Sequence, residues 1–341
     1  MRSKFNITCL VLAFLVSCSS PATSTRAPDT PTPVAELTAS PTQAAPLVIL
    51  VLPAGMDQQE SDQYQTLVYN LAQADGMRFQ VRNTLTPEDI AFEGSALRVV
   101  IAVPPDPGLT ALAAAAPGVQ FLAVGIPDLT PTTNLSIIGA NGIPLDQQAF
   151  LAGYIAGLVA PEWKVGVLYQ KDTAEGEAAR DAFSNGFTFY CGTCRSEYFS
   201  QPTGIYPVLV GIPTDAQESD YPAYANILAH NIVKVVYVCP EVATPDLLDY
   251  ITQSTDMLAI SQTLPDDGAR PQWIASIQPD LISALQNIFP DLVAGNGGQS
   301  IPTPLFLTDV NTDLLTEGRL RLAQDVLAGL QNGTISTGIS P

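Results

Sequence analysis

The residues able to do chemistry in this chain are mostly polar side chains standing at or just past the ends of apolar runs. In the first half these are Met56, Asp57, Gln58 and Asn141. In the second half they are Tyr169, Gln170, Asp172, Glu241, Ser261 and Gln262, with Asp57 and Gln262 foremost. Amides and carboxylates of this kind accept from and donate to hydroxyl-rich or otherwise polar small molecules, and a few of them on an apolar cleft suffice to orient a ligand. They do not form a catalytic set. The single histidine, His230, stands near a helix end and reads as a surface or capping residue. No Gly-x-Ser-x-Gly elbow, P-loop or His-Glu-x-x-His occurs. No catalytic residue, metal site or cofactor is expected, and an enzyme is not.

Cys191 and Cys194 form a Cys-Gly-Thr-Cys motif. In an exported protein a local disulfide is the simplest state, with free thiols as the alternative. A redox site would need the motif at a helix N-terminus, whereas here it follows a helix and the run Phe187–Tyr190. Zinc would need four ligands, and the remaining Cys239 and His230 lie in separate elements.

These residues need a scaffold, and its pattern is regular. Apolar runs at 47–52, 97–103, 119–124 and 135–139, and the alternating run 77–81, predict strands, with helices over 57–74 and 107–116 between them. The pattern restarts with strands at 165–169, 208–210, 233–238 and 257–260 and helices over 174–187, 221–231 and 245–252. A strand at 273–276, helices over 279–292 and 320–330, and a strand at 305–307 complete it. Alternating strand and helix predicts parallel sheets covered on both faces. The helix over 147–160 is apolar all round and so buried. Its small residues Ala149, Ala152, Gly153, Ala156 and Gly157 allow another backbone to approach closely.

The remaining signals concern location. Arg2 and Lys4 precede the apolar stretch Leu10–Phe14, and Leu15-Val16-Ser17-Cys18 has the form of a bacterial lipobox. Residues 1–17 are expected to be a lipoprotein signal peptide, Cys18 the lipidated residue, and 18–46, rich in Pro, Thr and Ser, an extended tether. With 14 basic and 33 acidic residues the formal charge is −19. That charge gives nucleic acid and anionic lipid no electrostatic reason to bind. The membrane contact would be through the lipid anchor alone, on the extracytoplasmic face of a bacterial cell.

The segments Asn134–Ile138, Ala149–Gly157 and Lys164–Val167 stand in an order that resembles the basic membrane protein family, substrate-binding lipoproteins of ABC transporters. Ala182–Phe187 and Gly329–Ile335 resemble that family's next helix end and its C-terminal tail. The resemblance implies an α/β fold of the type I periplasmic binding kind, with two doubly wound parallel-sheet lobes and a three-segment hinge. Lobe one would be 47–162 plus 279–302, and lobe two 163–278 plus 303–341. It also implies a small polar ligand, nucleoside- or sugar-like, held between the lobes, and an ABC transporter permease as partner. Alternatives are a ligand-sensing surface lipoprotein of the same fold and a surface protein that binds nothing. Nucleoside-binding members carry a Phe-Asn segment after strand one and an aspartate near residue 260. Here the corresponding runs are Pro53–Glu60 and Ala259–Gln262, so the resemblance implies a binding role without naming the ligand.

Overall fold

A computed structural model describes residues 45–192 and 206–339. The expected signal peptide, Cys18 and nearly all of the tether lie outside them. Two six-stranded sheets organise the chain. The first contains β1 (Leu47–Val51), β2 (Arg78–Arg82), β3 (Leu97–Ala102), β4 (Gln120–Val124), β5 (Leu135–Ile138) and β11 (Ser300–Ile301) in the order β11-β5-β4-β3-β1-β2. Its pairings are all parallel. The second contains β6 (Val165–Gln170), β7 (Val208–Ile212), β8 (Val235–Val238), β9 (Leu258–Ser261), β10 (Trp273–Pro279) and β12 (Leu305–Thr308) in the order β12-β10-β9-β8-β6-β7. Only β12 is antiparallel there.

Strand alternation divides the core of the first lobe into two layers. Val48, Leu50, Val99 and Ile101 face α1 (Gln58–Ala74) and α8 (Leu281–Val293). Leu47, Ile49, Val51 and Val100 face the side covered by α2 (Pro87–Glu93) and α3 (Leu109–Ala115). Strands buried on both faces read as unbroken apolar runs, which is why β1 and β3 are plain in the sequence. The two-residue β11 and the short α2 are not.

The apolar helix α4 (Leu145–Val159) corrects the expected lobe boundary. It packs into the core of the second lobe with α5 (Ala174–Cys191), β6 and β8, not with the first. Eleven successive residues, Gln148–Leu158, are buried. The reason is backbone proximity. A Cβ on Gly153 would collide with the Phe183 carbonyl oxygen, and one on Gly186 with the Phe150 carbonyl oxygen, so each helix presents a glycine to the other's main chain. The side chains beside this contact, Phe150, Leu151 and Ile155, are almost wholly buried and contribute roughly 1.5–3 kcal/mol each. Helix α5 also runs on to Cys191 through Phe187–Tyr190, which the sequence suggested as a separate run.

The first crossover between lobes is therefore 139–144. The second is at Pro279–Asp280, between β10 and α8, and the third is 302–304, between β11 and β12. They are bonded together. The Thr303 hydroxyl donates to the Gly142 carbonyl (2.8 Å), and the Asp280 N–H donates to the Pro304 carbonyl (2.8 Å). Gly139 has φ +75°, and a Cβ there would stand 2.6 Å from Thr303 Oγ1, so both conformation and space require glycine. The register fixes where this hinge lies. Ile301 pairs with Ile138 at the carboxyl end of the first sheet, and Leu305 with Pro279 at the carboxyl end of β10. Both sheets thus pass the chain across at their carboxyl ends.

The glycine contact predicts that Gly186→Val destabilises the protein by at least about 3 kcal/mol in chemical denaturation, because the obstacle is backbone and cannot turn aside. Gly118→Ala, where a Cβ meets open space, should change stability by no more than about 0.5 kcal/mol.

Candidate functional site

In open α/β sheets ligands bind beyond the carboxyl ends of the strands, so the loops at those ends are the candidate site. In the first lobe the carboxylates there serve the backbone. Asp57 accepts from the N–H groups of Gln59 (2.9 Å) and Glu60 (3.1 Å) as the cap of α1. Asp106, two residues before the Gly108 N-cap of α3, accepts from the N–H groups of Gly108 and Leu109. Arg82, at the end of β2, pairs with Asp89 (2.9 Å) and Glu93 (2.7 Å). Met56 is half-buried against the α1–α8 layer. Asp57 and Gln58 border an open groove of about 850 Å³ that follows α1 toward Asn70 and Ile282. A separate cavity of about 250 Å³ sits over the ends of β1 and β3, lined by Pro53, Asn83, Thr84, Pro105 and Asp106 among others. Asn83 and Thr84 were missed by the sequence reading, which ended the second strand at Val81. Asn141 lies in the first crossover, exposed, next to the Gly142 carbonyl bonded to Thr303.

In the second lobe the structure brings Gln170, Asp172, Glu241, Ser261 and Gln262 to the carboxyl ends of β6, β8 and β9, which are adjacent in the sheet. Their roles differ. Tyr169 is only 8% exposed, with the Arg180 guanidinium 5.8 Å from its ring centroid. Ser261 is fully buried, and its hydroxyl donates to the Val238 carbonyl (2.8 Å). Both side chains are committed to the lobe's own packing. Gln170 and Gln262 are half-buried, and Asp172 is exposed in a turn with φ +69°. Gln170 also anchors α5: its carbonyl accepts from the Thr173 hydroxyl, which in turn accepts from the Gly176 N–H.

Glu241 stands apart. Both its carboxylate oxygens are buried and neither has a hydrogen-bond partner. Burial pushes the carboxyl above its ordinary range, and nearby Glu175 adds to the shift, while the residue's own backbone amide opposes it. Below it in the same strand direction, the Tyr237 phenol and Cys239 thiol are fully buried and raised for the same reason. Cys239 is free, and a thiol held this far from ionisation is unreactive.

Cys191 is disulfide-bonded, and its expected partner, Cys194, lies outside the described residues. His230 is exposed, with Nδ1 2.7 Å from the Asn226 carbonyl oxygen. Among the described residues no group of three or more His, Cys, Asp or Glu is placed to hold a metal ion, and no helix is long and apolar enough to cross a membrane.

Comparison with solved structures fits this geometry. A solute-binding protein of an ABC transporter system from Conexibacter woesei superposes with a TM-score of 0.57, covering 86% of this chain and 98% of its own at 15% identity. The fold is that of the type I periplasmic binding proteins. Another ABC transporter solute-binding protein, from Aeropyrum pernix, gives 0.52 over 87% of this chain and 93% of its own at 14% identity. A periplasmic ribose ABC transporter protein from Conexibacter woesei gives 0.50 over 82% of this chain and 95% of its own, at 15% identity. No family model and no curated protein matches the sequence. Within the type I periplasmic binding fold, Glu241 occupies a strand-end loop of the second lobe.

A carboxyl raised in the folded state favours folding fully below the ordinary carboxylate range, and that advantage is lost as pH rises through the folded value. Glu241→Gln removes the titration. Raising pH from about 4 to about 7.5 should therefore cost the wild type more stability than the variant, measured as the difference in melting temperature at each pH.

Proposed function

We propose that this protein is an extracytoplasmic solute receptor. It holds a small polar ligand between its two lobes and delivers it to an ABC transporter permease. The observation that carries the reading is topological. Two parallel sheets exchange the chain three times at their carboxyl ends, which sets two arrays of strand-end loops about one hinge, the arrangement that closes around a ligand. The neighbouring structures of transport proteins support it. Binding would shift an equilibrium between open and closed lobes, with no bond made or broken. Glu241, Gln170 and Gln262 would grip from the second lobe, and Asn83, Thr84 and Asp106 would line the first. Cys18 would carry the lipid anchor, and the segment before residue 47 would be the tether. Cys191 and Cys194 would close a local disulfide at the end of α5.

Thermal-shift screening of the purified protein against nucleosides, sugars and small polar metabolites tests the reading. A ligand at about 100 times its dissociation constant should add roughly 2.7 kcal/mol of stability. If a broad library moves nothing, solute binding is refuted. Anchoring has its own test. Cys18→Ser should move the protein from the membrane to the soluble fraction, and a variant that stays with the membrane would rule out lipidation at that residue.

A further inference from the structure

Glu241 is a buried acceptor pair with no well-formed hydrogen bond, its own backbone amide being the one donor that acts on it. An ionised carboxylate offers only acceptor sites, and a buried one normally finds charge-assisted partners. Here both oxygens are enclosed and unpaired. The titratable groups that act on it electrostatically make no hydrogen bond to it. Glu175, at the start of α5, repels it, and Tyr237 and Cys239 are buried neutral groups in β8 and the loop after it. The loops that follow the neighbouring strands β6 and β9 are acidic in sequence as well, with Asp172, Asp266 and Asp267 against Lys171. Across the hinge Arg82 is already held by Asp89 and Glu93. Any solute admitted here must bring donors, and one that brings positive charge relieves the repulsion between Glu241 and Glu175 at the same time.

Resting on the solute-receptor reading above, we propose that Glu241 is the anchor for a protonated amine, so that the solute class is a small amine-bearing molecule rather than a neutral polyol or an anion. A hydroxyl pair could occupy the two oxygens but would leave two like charges unneutralised. A phosphate or carboxylate would add a third. An ammonium placed at the carboxylate supplies up to three N–H donors and the missing charge together. The upward push that burial exerts on the Glu241 carboxyl has the same origin and would be reversed by such a ligand.

The test uses the full-length chain in detergent and matched pairs of probes: putrescine against butane-1,4-diol, and glucosamine against N-acetylglucosamine and glucose. Thermal shift followed by titration calorimetry should show amines binding and their neutral counterparts failing. Glu241→Gln, nearly isosteric and checked for folding by circular dichroism, should weaken the amine roughly 30-fold or more, and Glu175→Gln only a few-fold. If neutral or anionic solutes bind and amines do not, the amine assignment is overturned while solute binding stands. An amine that binds Glu241→Gln as tightly as wild type removes Glu241 from the role. If neither the amines nor a wider library shift the melting point, the receptor reading falls with it.

Discussion

The second lobe depends on two helices touching through their main chains. Gly153 of α4 and Gly186 of α5 leave no room for a side chain between them, so the two backbones pack directly on each other. The orientation of the pair is passed on at both ends. At one end, α5 begins against β6, where Gly176 lies on the Gln170 carbonyl and Thr173 caps the helix. This fixes the loop from Gln170 to Glu175, and with it one wall around Glu241. At the other end, α4 starts directly after the first crossover. Its buried Gln148 donates to the Ile277 carbonyl (2.6 Å), and Asp146 accepts from the Thr337 hydroxyl (2.7 Å). A displacement of the helix pair would thus be felt at the strand-end loops and at the crossovers together.

Carboxylates are plentiful near the strand ends, but few are free to act on a ligand. Asp57, Asp106, Asp266 and Asp280 each accept backbone N–H groups at a helix start, where they satisfy donors that would otherwise lack partners. Their charge is spent on structure. Glu241 caps no helix, and among the described residues neither of its carboxylate oxygens has a hydrogen-bond partner. In a protein of formal charge −19, what distinguishes one acid from another is its bonding and not its sign.

Much of the fold was legible because buried parallel strands leave a simple trace. Apolar runs such as Leu47–Val51 and Val99–Val103 could be little else, and the alternation with helices pointed to two parallel sheets. The small residues of α4 announced a close approach. The partner was not legible, since glycine spacing says that a backbone comes near and not whose, and α4 went to the wrong lobe. Strand ends identified the loops that matter, including Glu241 and Gln262, but not which side chains stay available there. Tyr169 and Ser261 face inward, and Asp57 caps a helix. Those outcomes depend on pleat phase and on competition from backbone donors. Asn83 and Thr84 escaped notice because the strand before them, Arg78–Arg82, is largely polar and gave no clear end.

The layout also sets an order of events in folding. The α1 side of the first sheet is completed by Ala284, Leu285, Ile288, Phe289 and Leu292 of α8, which follow β1 by more than two hundred residues of chain. Until α8 has been synthesised and docked, Val48, Leu50, Val99 and Ile101 have an incomplete cover, and the first lobe cannot reach its final stability. Closing contacts over so long a separation is slow. The part of the second lobe from α4 to β10 lies in sequence between the two halves of the first lobe's core, while β12 and α9 (Glu317–Gln331) follow it.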